Sequence, residues 1–257
     1  MPTTTLAVHT TPASAGAPTR PPVLLLHGFA ASAEEDFLAA GWPAALTAAG
    51  HDVHAVDLPG HGDSPAVSGD AASTSAIVAA LAAVVDALGT EVDVVGYSLG
   101  ARLAWELPAA TGRVRRLVLG GLSPFEPFAA VDAAAVARAA DVVEIAGDPA
   151  ATGTTATSPA APDPLTAMLA DMVSAPGRDT ASLVVLMAGL GSQPFDPASG
   201  GPSVPTLLVA GTDDPMTQGL DAVAAGLPDA RVLRVPGDHR GALDSAEFRA
   251  AAVAFLD

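Results

Sequence analysis

The sequence predicts an α/β fold, with a mostly parallel central sheet flanked by helices. A helical segment is inserted before the predicted strand Thr206–Val209. Three observations lead to this fold class. Short apolar runs alternate with longer alanine-rich stretches, as in a parallel sheet with helical crossovers. No internal repeat of the solenoid or propeller type is present. The alternation fails over residues 124–203, where the inserted segment is expected.

Short runs rich in Leu or β-branched residues, each closed by Gly or a loop residue, predict the buried parallel strands. These runs are Val23–Leu26, Val53–Val56, Val92–Val95, Leu117–Leu119 and Thr206–Val209. A further short strand is expected at Val232–Val235, and a Thr-rich stretch around His9 predicts an edge strand. The carboxyl ends of such parallel strands share one edge of the sheet, where a site can form.

Segments between these strands have the punctuation of helices. Pro43–Ala49 begins with Pro and precedes Gly50, and Ala71–Leu88 precedes Gly89. Proline at the first helical position and glycine just beyond the last one are typical of helix ends. A third helix is expected at Ala101–Leu107.

The inserted segment is rich in Pro, Gly, Thr and Ser around three apolar stretches that predict short helices. These stretches are Phe128–Ala140, Leu165–Ser174 and Ser182–Leu190. An insertion of this size between two strands is typical of a lid or cap over a site. We therefore predict a core formed by residues 1–123 and 204–257 and a cap formed by 124–203. An irregular continuation of the core is the alternative.

The charge and the missing residue types exclude several classes of function. The 257 residues include 28 acidic and 11 basic side chains, for a net charge of −17, which would repel nucleic-acid phosphates and anionic membrane surfaces. All basic residues are Arg, and Cys is absent. A Schiff-base lysine, a cysteine nucleophile and a thiolate metal site are therefore excluded. The first apolar run, Val23–Leu26, is too short for a signal-peptide core or a membrane span, so a cytoplasmic location is expected.

A Gly-x-Ser-x-Gly motif at residues 96–100 carries the first chemical signal. It follows the strand Val92–Val95 and precedes the expected helix Ala101–Leu107. A serine at such a strand-to-helix turn needs small neighbours because the turn is tight, and the following helix N-terminus offers positive potential to a developing oxyanion. The pattern indicates that Ser98 is a nucleophile. A Gly-rich structural turn is the alternative.

Four further motifs accompany the turn at Ser98, which we call the elbow, and they occur in a fixed order along the chain. They are His27-Gly28-Phe29, the loop from Asp57 to Ser64, the turn from Gly211 to Pro215, and Gly237-Asp238-His239. With these motifs the chain resembles the α/β-hydrolase superfamily, and in particular its serine esterases with a Ser-His-Asp triad and a cap. The resemblance extends over nearly the whole sequence.

The resemblance implies a set of site residues. It implies that Ser98 is the nucleophile, His239 the general base and Asp214 the acid that orients the imidazole. The backbone N–H groups of Phe29 and Leu99 would form the oxyanion hole. A mechanism with these groups requires neither a metal nor an organic cofactor.

Some assignments remain open at this stage. In this family the turn that carries the acid usually has the pattern Gly-x-x-Asp, which favours Asp214 over Asp213. Glu126 is a third candidate for the acid. Five other histidines compete with His239 for the role of base, among them His27 and His61, for which structural roles in their loops are expected. The remaining three lie in or beside predicted strands: His9, His51 and His54.

Ester hydrolysis through an acyl-enzyme on Ser98 is the predicted reaction, since the dehalogenase and epoxide hydrolase branches need a carboxylate at that position. Lactonase, thioesterase, carbon–carbon bond hydrolase and cofactor-free perhydrolase activities are alternatives, as is a weakly catalytic small-molecule receptor. The expected partner is a small, hydrophobic ester. Its apolar groups would contact cap side chains: Phe125, Phe128, Met168, Met172, Met187 and Phe195.

Overall fold

A seven-stranded sheet forms the centre of the molecule in the computed structural model, which describes residues 5–147 and 162–257. The described strands are β1 Val8–Thr11, β2 Val23–Leu26, β3 Val53–Val56, β4 Val92–Tyr97, β5 Val114–Gly120, β6 Thr206–Gly211 and β7 Ala230–Val235. Their order is β1-β3-β2-β4-β5-β6-β7, and β1 is antiparallel to β3 while the other pairs are parallel. The predicted mostly parallel sheet is confirmed.

Helices connect the strands and cover both faces of the sheet. They are α1 Trp42–Ala49, α2 Thr74–Leu88, α3 Leu99–Thr111, α4 Ala133–Gly147, α5 Pro164–Val173, α6 Thr180–Ser192, α7 Leu220–Ala225, α8 His239–Asp244 and α9 Ala246–Leu256. Helix α2 begins three residues later than expected, because the Ser73 hydroxyl accepts a hydrogen bond from the Ala76 N–H and caps the helix there. Helix α3 continues through Pro108 to Thr111, beyond the expected end at Leu107.

The segment between β5 and β6 contains α4, α5 and α6, close to the three stretches predicted as helices. Residues 148–161 of the predicted cap lie outside the described residues. Apolar side chains of all three helices belong to the same buried cluster as α2 and α3, for example Val136, Leu169 and Leu186. This shared apolar packing fixes the segment against one face of the sheet. That the segment acts as a lid stays a prediction.

Strand β4 lies between β2 and β5, so the loops that follow these strands meet at one edge of the sheet. The loops after β6 and β7 reach the same edge, since all these strands are parallel. The predicted site residues follow β2, β4, β6 and β7, and the topology therefore brings them together. Among the described helices, none is long and apolar enough to cross a membrane.

Candidate active site

Ser98 occupies a sharp turn between β4 and α3. Its backbone has φ 51° and ψ −112°, a conformation that a residue with a side chain rarely adopts. The Ser98 N–H donates to the Gly120 carbonyl at 2.8 Å, and its carbonyl accepts from the Arg102 N–H at 3.0 Å. The neighbouring strand and the first turn of α3 therefore hold the strained residue in place.

Both glycines of the motif are required by close backbone approaches. A Cβ on Gly96 would lie 2.5 Å from the Gly100 carbonyl oxygen, and a Cβ on Gly100 would lie 2.0 Å from the Leu26 carbonyl oxygen. Neither distance is possible for a real side chain. The small neighbours expected around Ser98 thus have a definite steric cause, since α3 starts directly against the end of β2.

Phe29 and Leu99 line the same cavity as Ser98. Neither N–H group donates a hydrogen bond to another group within the described chain. Leu99 is the first residue of α3, where the backbone N–H has no partner inside the helix and the helix dipole is positive. That these amides bind a substrate oxygen stays a prediction.

Two buried histidines fix the loop that carries Phe29. His27 Nδ1 lies 2.7 Å from the Gly28 carbonyl oxygen, and its Nε2 accepts the Leu58 N–H at 2.9 Å. His61 Nε2 accepts the Ala30 N–H at 3.0 Å. Burial lowers the pKa of both imidazoles, that of His61 to about 3, so both are neutral near pH 7. These contacts are structural, as the sequence predicted for this pair.

His239 is the first residue of α8, and its Nδ1 lies 2.7 Å from Asp214 Oδ2. The Asp214 side chain is fully buried, and its other oxygen accepts the Met216 N–H at 2.9 Å. Asp213 is exposed instead, and its carboxylate contacts the neighbouring Thr212 hydroxyl at 3.4 Å. The structure therefore pairs Asp214, and not Asp213, with the imidazole.

Glu126, the third position considered for the acid, has a different partner. Its Oε2 accepts from Arg102 Nε at 2.6 Å, and the side chains of both residues are buried. Arg102 also donates to the Thr74 hydroxyl at 2.8 Å and to the Gln193 carbonyl at 2.7 Å. The Arg102–Glu126 pair thus ties α3 to the segment between β5 and β6.

Two further residues position His239, and sequence reasoning missed them. The Tyr97 hydroxyl donates to the backbone carbonyl of His239, which holds the start of α8. Gly121, with φ 62°, leaves space for the imidazole, because a Cβ there would lie 2.9 Å from His239 Cε1. The signals in the sequence were a tyrosine beside the elbow serine and a glycine pair at the end of β5.

A cavity of about 620 Å³ opens beside Ser98 and His239. Four of the side chains predicted to contact substrate line it: Phe125, Phe128, Met168 and Met172. The structure corrects the expectation for Met187 and Phe195, neither of which lines this cavity. Met187 is buried in the main apolar cluster, and Phe195 packs edge-on against Trp105 with ring centroids 5.4 Å apart.

One group in the described residues could in principle hold a metal ion. The ligand atoms of His9, Asp57 and Asp63 lie within 4.8 Å of one another. Asp57 Oδ1, however, already accepts the Ala33 N–H, and Oδ2 accepts the Asp63 N–H and lies 2.9 Å from His9 Nε2. The cluster braces the loop after β3 and does not border the cavity.

The comparisons with known proteins agree with this architecture. Residues 21–245 match the sequence model of a family described as the alpha/beta hydrolase fold, and the chain belongs to this family. A search of curated protein sequences gave no match.

Many solved structures have the same fold. MenH from S. aureus is 19% identical with a TM-score of 0.70, covering 97% of both chains. The enol-lactonase from Burkholderia xenovorans LB400 is 18% identical with a TM-score of 0.68, covering 98% of this chain and 96% of that one. An esterase from Exiguobacterium antarcticum is 19% identical with a TM-score of 0.68, covering 98% and 95%. At these identities the likeness shows the fold.

Proposed function

We propose that the protein is a serine hydrolase that cleaves carboxylic esters of small, neutral, hydrophobic substrates through an acyl-enzyme on Ser98. One observation carries the proposal. Ser98 and His239 line the same cavity, and the buried Asp214 carboxylate lies 2.7 Å from the His239 Nδ1. A nucleophile and a base on one cavity, with an orienting acid buried behind the base, are the groups that acyl transfer requires.

The proposed reaction has two steps. Neutral His239 takes the Ser98 proton as the hydroxyl oxygen attacks the ester carbonyl, and the amides of Phe29 and Leu99 stabilise the oxyanion. The protonated imidazole then gives its proton to the leaving alcohol, which leaves an acyl-Ser98 ester. Water, activated by the same imidazole, attacks this ester and releases the acid. Asp214 holds the imidazole with Nδ1 protonated and stabilises its charged form.

The cavity lining supports a neutral and apolar substrate. The charged side chains among the described lining residues form two pairs, Arg102 with Glu126 and Asp36 with Arg240, so this part of the lining presents no unpaired charge to a ligand. Most of the remaining lining residues are apolar, and several of them come from the segment between β5 and β6. A substrate carboxylate would lose its hydration there without gaining an unpaired cation.

Hydrolysis of a panel of acyl compounds tests the proposal. We expect p-nitrophenyl butyrate to be cleaved faster than mono-p-nitrophenyl succinate, which differs mainly in an added carboxylate. Lactones and acyl thioesters of similar length belong in the panel, because the related folds include an enol-lactonase. Ser98→Ala is the control and should lose the activity. Absence of turnover on every acyl compound, or undiminished turnover by Ser98→Ala, would contradict the proposal.

A further inference from the structure

A buried carboxylate lies beside Ser98 and takes no part in the proposed reaction. Asp36 belongs to a short π-helical turn, Glu34–Leu38, that follows the loop after β2. Its side chain is only 2% exposed, and it lines the cavity together with Ser98. A Cβ built on Gly28 would lie 3.4 Å from Asp36 Oδ2 and 3.5 Å from Ser98 Cβ. The carboxylate is thus separated from the serine by little more than the Gly28 backbone.

The two oxygens of Asp36 bind two different elements of the site. Oδ2 accepts the Gly28 N–H at 2.8 Å, and Oδ1 accepts from Arg240 Nη1 at 2.5 Å. Gly28 immediately precedes Phe29, whose amide is one oxyanion donor. Arg240 immediately follows His239. One carboxylate therefore connects the oxyanion loop to the helix that carries the base.

The partners of Asp36 are themselves well fixed. Arg240 also donates to the Glu35 carbonyl at 3.1 Å and to Asp244 on its own helix at 3.2 Å. Glu35 in turn forms two 2.8 Å hydrogen bonds with Arg178, which lies between α5 and α6. The Glu34–Leu38 turn therefore contacts the oxyanion loop, α8 and the inserted segment.

We propose that Asp36 is a positioning residue that sets the Phe29 amide relative to His239 in the transition state. The inference rests on the proposed function, since it concerns the geometry of the same site. An oxyanion donor stabilises a tetrahedral oxygen only within a narrow range of distance, and a displacement of about 1 Å can cost about 10²-fold in rate. Asp36 holds the Gly28 N–H by a charge-assisted hydrogen bond, and Arg240 neutralises the carboxylate so that it does not repel the oxyanion.

Two substitutions separate the two contacts of this carboxylate. Asp36→Ala removes both, and we expect kcat for p-nitrophenyl butyrate to fall by about 10²-fold with KM changed less than about threefold, because the apolar walls remain. Asp36→Asn keeps an acceptor for the Gly28 N–H but loses the charge that pairs with Arg240, and we expect a loss of about tenfold. Asp244→Asn is the matched control: it removes the charge of the exposed partner of Arg240 but not that of Asp36, and kcat should be unchanged.

An inhibitor comparison distinguishes positioning from a purely structural role. A trifluoromethyl ketone forms a tetrahedral adduct whose oxygen occupies the oxyanion hole, whereas a plain alkane of the same length only fills the cavity. We expect Asp36→Ala to weaken binding of the ketone by the same factor by which it lowers kcat/KM. Binding of the alkane should be unchanged. A lowered Tm with unchanged kcat and unchanged ketone affinity in the folded enzyme would overturn the proposal.

Two further measurements keep the test decisive. If Asp36→Ala does not fold, Asp36→Asn and Arg240→Gln replace it, and a full wild-type kcat in both would overturn the proposal. If the wild type cleaves no ester, the proposed function fails, and the rate at which a fluorophosphonate labels Ser98 takes the place of kcat. Equal labelling rates in the wild type and the Asp36 variants would then contradict the positioning role of Asp36, independently of the proposed function.

Discussion

Because His61 is buried, we predict that mild acidification lowers the stability of the fold. Replacing His61 with a residue that does not titrate should remove its share of this loss. His61 Nε2 accepts the Ala30 N–H at 3.0 Å, and its Nδ1 lies 3.0 Å from the Pro59 carbonyl oxygen. Protonation would remove the acceptor and place a charge beside His27, whose ring centroid is 4.9 Å away. The pKa of His61 is lowered from 6.5 to about 3. Burial is the main cause, and electrostatic repulsion from His27 is the next.

The magnitude follows from this shift. The folded chain binds the His61 proton less tightly than the unfolded chain, so the contribution to stability is complete above the unfolded-state pKa of about 6.5. It is lost progressively as pH falls from there towards about 3. Between pH 7 and pH 5 the loss from this residue alone is about 2 kcal/mol.

Urea unfolding at pH 7, 6 and 5, followed by far-UV circular dichroism and tryptophan fluorescence, measures this loss. His61→Gln keeps an acceptor and a donor but does not titrate, so we expect its stability to fall by about 2 kcal/mol less than that of the wild type over this range. His54→Gln is the matched control and should change the pH dependence less, because His54 is only half-buried although burial also lowers its pKa. Parallel pH profiles for the wild type and His61→Gln would refute the reasoning.

Two other predictions concern the proposed site. Asp214→Asn should fold and lose about 10⁴-fold in kcat, because the amide no longer stabilises the protonated imidazole. Asp213→Asn, the matched control on the exposed neighbour, should lose tenfold or less, and the reverse order in steady-state rates would identify Asp213 as the acid. Met168→Glu places a charge at the cavity wall and should reduce the preference for longer p-nitrophenyl esters. An unchanged chain-length profile would mean that this part of the inserted segment does not contact substrate.

The sequence predicted the strands well because each buried parallel strand is a short apolar run with a glycine or loop residue at its end. Val23–Leu26 and Val53–Val56 have the bounds that were predicted from such runs. Ser98 could be placed for a related reason: its turn demands glycines at fixed positions, which are visible in a single sequence. Features of this kind are local, and local sequence determines them.

Features that depend on distant contacts could not be predicted in this way. Asp36 resembles any surface acid in the sequence, and its burial results from partners 8 and 204 residues away. Met187 was wrongly predicted to contact substrate for another reason. Together with Leu183, Leu186 and Leu190 it forms a helical stripe at spacings of three and four, and this periodicity favours a core position over a cavity wall.

Covalent labelling of the intact chain tests the central claim most directly. A fluorophosphonate transfers its phosphonyl group to an activated serine, and peptide mass mapping identifies the modified residue. We predict a single adduct on Ser98, formed slowly or not at all in His239→Ala, since the imidazole takes the serine proton. An adduct on another residue, or no adduct on a protein whose circular dichroism shows that it is folded, would contradict the account.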